Sequence, residues 1–110
     1  MLRRATPKNE TQILTYADII LDPQTHQVQR SGQPISLTLT EFKLLHLFLR
    51  HPRQVLERGQ ILNEVWGFDF GGDSNVLEIY ISYLRKKLEF NNLPRLIQTV
   101  RGVGYALREE

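Results

Sequence analysis

The spacing of apolar positions changes several times along this chain, and each change predicts an element. Residues 1–12, MLRRATPKNETQ, are polar with one proline and read as a linker or arm, the trimmed end of something longer. ILTYADIILD and HQVQRSGQPISL are β-rich stretches separated by turn chemistry. Asp22-Pro23-Gln24-Thr25 puts proline second in a type I turn, and Ser31-Gly32 closes the next hairpin. Three or four short antiparallel strands are expected over roughly 13–37. The period then lengthens: Phe42, Leu45, Phe48 and Leu49 share one helical face. Thr38 and Glu41 have the spacing of a capping box, and Pro52 ends the helix. LERGQILNEVWG predicts a second, shorter helix ended by Gly67. GFDFGGD, 67–73, cannot stay helical and forms a loop. In SNVLEIYISYLRKKLEF, Leu77, Ile81, Leu84 and Leu88 make an inward stripe. NNLPR breaks that helix, and IQTVRGVGYAL, 97–107, closes the chain as a hairpin. The expected fold is α+β, with one domain over 13–110: strands, three helices, hairpin.

Composition narrows the chemistry. A chain of 110 residues with 41% apolar content can bury one core. It has no apolar run long enough to span a membrane and no signal-peptide pattern. Without cysteine there is neither a disulfide framework nor a thiolate metal site. His26, His46 and His51 lack a metal-binding spacing, and no G-x-S-x-G elbow is present. Gly102 and Gly104 precede a strand rather than a helix, so they are not a phosphate loop. No enzyme activity, metal or cofactor is expected. Charge is distributed unevenly. Residues 79–108 hold Arg85, Lys86, Lys87, Arg95, Arg101 and Arg108 against Glu89, a balance of +5. Residues 57–78 hold five acids against Arg58, a balance of −4. A basic face for nucleic acid beside an acidic one for another partner is one reading; solvated helix surfaces is the other.

Three helices followed by a two-stranded hairpin is the layout of a winged helix-turn-helix, in which the third helix enters the major groove. The inward stripe leaves Asn75, Ile79, Ser82, Tyr83 and Lys86 facing outward. Such a mixed polar, aromatic and basic face suits base-edge and phosphate contacts, and an exposed Ile79 suits a thymine methyl. Arg101, between glycines that permit positive φ and close backbone approach, is placed to enter the adjacent minor groove. The competing reading is a type I′ or bulged hairpin with an incidental arginine.

LTLTEFKLLHLFLRHP, LERGQILNEVWG, SNVLEIYISYLRKKLE and IQTVRGVGYAL, in this order, resemble the OmpR/PhoB-type effector domain of bacterial response regulators. The likeness covers nearly all of 13–108. It implies an N-terminal four-stranded sheet, a recognition helix 3, and a wing, with the protein cytoplasmic. It implies wing contacts at Thr99, Arg101 and Tyr105, and helix-3 contacts at Asn75, Ile79, Tyr80, Ser82, Tyr83, Arg85 and Lys86. Tyr80, Ser82 and Tyr83 depart from relatives richer in Arg and His there, which changes the base sequence read. Trp66 has two readings, a phosphate contact or a core aromatic under the end of helix 2. Phe68, Asp69, Phe70 and Asp73 are either an RNA polymerase contact or part of a plain loop whose phenylalanines tuck inward. The implied partners are double-stranded DNA with direct repeats, RNA polymerase, a receiver domain in the full-length protein, and a sensor kinase acting through it. One copy with few phosphate contacts should bind only at about micromolar strength, so a monomer in solution should pair in tandem on DNA. Two rivals remain: the DNA-binding domain of a membrane-anchored, receiver-less activator, and a polymerase-interaction module without DNA binding.

Overall fold

The computed structural model describes residues 12–67 and 75–109. Four strands open the chain: β1 Leu14–Tyr16, β2 Ile19–Asp22, β3 Gln27–Arg30 and β4 Gln33–Ile35. They pair in sequence order as an antiparallel meander. ILTYADIILD, a single β-rich stretch by pattern alone, is itself a hairpin, because Ala17 takes φ 52 and Tyr16 pairs with Ile19. Alanine gives no warning of a left-handed turn residue. After β2 the turn is wider than a simple type I turn. The Asp22 carbonyl accepts from the His26 amide at 2.8 Å and its carboxylate from Gln24 at 3.0 Å. Ser31 and Gly32, at φ 51 and 79, join Arg30 to Gln33 with positive φ at both turn positions, the type I′ pattern.

The inner face of this sheet carries Ile19, Leu21 and Val28, and also Arg30, which is only 1% exposed. A buried guanidinium is tolerable only when its charge and donors are satisfied. Arg30 donates to Asp18 at 2.9 Å, to the Leu88 carbonyl at 2.7 Å and to the Pro94 carbonyl at 2.8 Å. Asp18 also accepts from the Ser31 hydroxyl. The sheet is thereby latched to a part of the chain far away in sequence.

Helix α1, Leu39–Arg50, begins with the expected capping box: the Thr38 hydroxyl accepts from the Glu41 amide, and Glu41 accepts from the Thr38 amide at 2.9 Å. Its predicted face is buried, but Leu44 and Leu47 are buried as well. The reason is position, since α1 touches β1, both other helices and the last strand. Glu41, 3% exposed, is reached by the Lys87 ammonium at 2.6 Å.

After α1 comes β5, Val55–Glu57, then α2, Arg58–Trp66, closed by Gly67 at φ 100. Helix α3 runs Val76–Leu88, with Leu77, Ile81, Leu84 and Leu88 no more than 2% exposed. A 3₁₀ turn at Phe90–Asn92, with Asn91 and Asn92 at positive φ, leads to β6 Ile97–Val100 and β7 Gly104–Leu107. The C-terminal sheet has the order β5-β7-β6. The expected two-stranded hairpin is therefore part of a three-stranded sheet. β7 lies at its centre and is buried at all four residues, so its alternation is lost. A Cβ on Gly104 would lie 2.0 Å from the Leu56 carbonyl oxygen, so the close approach of β5 requires glycine there.

Candidate nucleic-acid interface

The helical period of α3 sorts its side chains into two sets. Leucines and Ile81 point to the core, while Ile79, Ser82, Tyr83 and Lys86 are exposed, with Asn75 exposed at the N-cap. Ile79 is 39% and Tyr83 48% exposed, large apolar surfaces on a face that is otherwise polar. Tyr80 lies off this face. It is half-buried against the core, its ring 5.6 Å from Trp66 and 5.4 Å edge-on from Tyr83. These three rings form a row from the end of α2 to the outward side of α3. Trp66, half-buried at one end of that row, is a packing residue whose remaining surface is open to solvent.

Arg85 turns toward the wing. Its Nε and Nη2 donate to the Ile97 carbonyl at 3.0 and 2.7 Å, and Nη2 donates to the Thr99 hydroxyl at 2.8 Å. Its Cζ sits 5.8 Å from the centre of the Tyr105 ring. Burial, then the nearby Arg95 charge, lower the Arg85 pKa, though a guanidinium remains charged at working pH. Burial, then the Glu78 carboxylate, push the Tyr105 phenol up, so it stays a neutral donor. Thr99 is exposed, whereas Tyr105 is 8% exposed and serves as the floor under Arg85. An open groove runs between α3 and the wing, lined by Ser82, Arg85, Lys86 and Tyr105 among others.

The tip of the wing is a tight turn in which the Val103 amide donates to the Val100 carbonyl at 2.9 Å. Gly102 takes φ 78 while Arg101 does not have positive φ, which is the type II pattern and not type I′. The two glycines divide the expected tasks: Gly102 supplies the positive φ, and Gly104 the close approach. Arg101 is exposed between β6 and β7, and β7 is held on its other side by β5.

The charge balance changes once internal partners are counted. Lys87 pairs with Glu41, Arg95 with Glu89, and Arg85 serves the wing, while Arg108 is half-buried with its Nε lacking a hydrogen-bond partner among the described residues. Lys86 and Arg101 are exposed and make no ion pair among the described residues. On the acidic side Glu78 is bound by Arg58 at 2.7 and 3.1 Å, joining the start of α2 to the start of α3. Among the described residues, the exposed cations of this stretch that make no ion pair are therefore Lys86 and Arg101 rather than all six. Sequence reasoning missed the Arg58–Glu78 and Arg30 pairings, which join residues too far apart for any helical or strand period to signal. Phe68, Asp69, Phe70 and Asp73 lie outside the described residues, as does the arm up to residue 11.

The family model described as "Transcriptional regulatory protein, C terminal" matches residues 32–107. The response regulator MprA of Mycolicibacterium vanbaalenii is 54% identical over 112 residues, covering 99% of this chain and 48% of that protein. The chain thus spans about half the length of this relative. The crystal structure of the Klebsiella pneumoniae RstA DNA-binding domain in complex with RstA box superposes with TM-score 0.79 at 29% identity, covering 90% of this chain and 99% of that one. The DNA-binding domain of the response regulator AdeR, in complex with an intercistronic region, gives TM-score 0.75 at 33% identity, covering 87% and 99%.

Proposed function

The chain belongs to the transcriptional regulatory protein C-terminal family, and on that premise we propose that it is the sequence-specific DNA-binding effector domain of a response-regulator transcription factor. The observation that carries this reading is the outward face of α3. It sets Ile79 and Tyr83 among Ser82 and Lys86, beside a wing that presents Arg101. In this reading α3 lies in the major groove, where Ile79 meets a thymine methyl and Ser82 and Tyr83 contact base edges or phosphate. Asn75 and Lys86 contact phosphate, as does the open surface of Trp66. Arg101 enters the minor groove, with Thr99 beside it. Tyr80, Arg85 and Tyr105 hold these elements from behind.

With Lys86 and Arg101 as the exposed cations of α3 and the wing that make no ion pair among the described residues, one copy makes few phosphate contacts, so two copies bind head to tail on direct repeats about 10 bp apart. The full-length protein carries a receiver domain addressed by a sensor kinase in the cytoplasm, and residues 68–73 contact RNA polymerase. Selection of genomic fragments with the purified chain, followed by titration of the enriched duplex over several salt concentrations, tests the reading. Enrichment of repeated half-sites with a falling affinity as salt rises is expected. Recovery of no common sequence, or affinity indifferent to salt, would overturn it.

A further inference from the structure

Arg85 sits on the recognition helix yet directs the Nε and Nη2 of its guanidinium at the wing. Ile97, which accepts two of its hydrogen bonds, opens β6, and Thr99, which accepts another, lies two positions before Arg101. Its Cζ also lies 5.8 Å from the centre of the Tyr105 ring of β7, so one side chain faces both wing strands. None of its acceptors is a carboxylate, and it makes no ion pair among the described residues. A guanidinium held this way sets the angle between helix and wing, because its planar fork fixes direction as well as distance.

We infer that Arg85 is a positioning residue: it fastens the wing to α3 so that Arg101 reaches the minor groove in register with the bases read by α3. It acts through Arg101 and not on a phosphate of its own. The inference rests on the DNA-binding reading above. It predicts that lysine is a poor replacement, since an ammonium keeps the charge but cannot span the Ile97 carbonyl and the Thr99 hydroxyl in a planar fork.

The experiment compares Arg85→Lys, Arg101→Ala and the double variant, all in the 110-residue chain, on the duplex enriched by fragment selection and on a random-sequence duplex. Arg85→Lys should weaken the enriched duplex by about tenfold, matching Arg101→Ala, and by less than about twofold once Arg101 is already gone. Hydroxyl-radical protection of the minor groove at the wing should be lost in Arg85→Lys while protection in the major groove persists. General destabilisation would not produce that split. Wild-type affinity in Arg85→Lys, or losses that simply multiply in the double variant, would overturn the inference. Should Arg85→Lys fail to fold, Thr99→Val removes one acceptor from the wing and leaves α3 intact. It should show the same dependence on Arg101 with a smaller effect, and independence would overturn the inference. If the wild-type chain enriches no duplex, the DNA-binding reading itself fails. If it binds but the two arginines act independently, only the role given to Arg85 fails.

Discussion

Two arginines fasten the two sheets to α3, and they do so with different chemistry. Arg30 reaches from the N-terminal sheet to the last turn of α3, is 1% exposed, and neutralises its charge on Asp18. Arg85 reaches from α3 to the C-terminal sheet, is half-exposed, and directs its hydrogen bonds to a carbonyl and a hydroxyl, with the Tyr105 ring 5.8 Å from its Cζ. The first arrangement cannot be opened without leaving the buried guanidinium and the Leu88 carbonyl unpaired, so it belongs to the stability of the domain. The second leaves its arginine within reach of water, so opening it costs less and changes mainly where the wing points. One latch holds the fold together, and the other aims it.

Arg30→Met should give the largest effect. Asp18 is 37% exposed and can be solvated, but the Leu88 and Pro94 carbonyls lose their donor, at about 1–3 kcal/mol for each left unsatisfied, and urea unfolding should register a loss of that order. The base preference of the folded fraction should be unchanged. A loss under about 1 kcal/mol would mean the two latches are alike, both expendable for stability.

Gly104→Ala tests whether the C-terminal sheet depends on close backbone approach rather than on Arg85 alone. With the Leu56 oxygen 2.0 Å from the new Cβ, β5 must move off β7, at about 1–3 kcal/mol. Gly102→Ala should cost only about 1 kcal/mol, through its φ of 78. Equal melting temperatures for the two variants would contradict this ordering.

The latches should also differ in pH dependence. Burial works to raise the Asp18 pKa, but hydrogen bonds from Ser31 and Arg30 outweigh it and hold it below the ordinary carboxylate range. The same balance, with Lys87 and the Thr38 amide as donors, lowers Glu41. A carboxylate lowered in the folded state stabilises fully above its unfolded pKa, and that contribution disappears as pH falls through the lowered value. Asp18→Asn and Glu41→Gln should therefore each flatten part of the acid limb of a stability profile measured below the ordinary carboxylate range. Arg85→Lys should leave that limb unchanged, because among the described residues no carboxylate accepts a hydrogen bond from Arg85.

The smallest effects on stability belong to the outward residues. Ile79→Ala and Arg101→Ala should shift unfolding by no more than about 0.5 kcal/mol. On DNA, Ile79→Ala should cost about 1 kcal/mol at one thymine-containing position and little on random duplex. Arg101→Ala should reduce the salt slope by about one. Equal losses for Ile79→Ala on both duplexes would remove it from base reading.

What could be read from the sequence was whatever depends on neighbours within about one helical turn or one tight turn. The Thr38–Glu41 capping box, the Leu77-Ile81-Leu84-Leu88 stripe, the Ser31-Gly32 turn and the stop at Gly67 are all of this kind. The same periodicity also left Ile79, Ser82, Tyr83 and Lys86 outward before any tertiary contact was considered. Only the tertiary structure could decide the rest. β5 is three residues long and exists because β7 returns beside it, a pairing no local propensity encodes. Lys87 and Glu41 lie 46 residues apart, and Arg30 and Leu88 58 apart, so a charge count along the chain cannot tell an internal partner from a free cation. Arg85 and Lys86 are adjacent in sequence, but one helical step of about 100° turns the first onto the wing and leaves the second facing solvent.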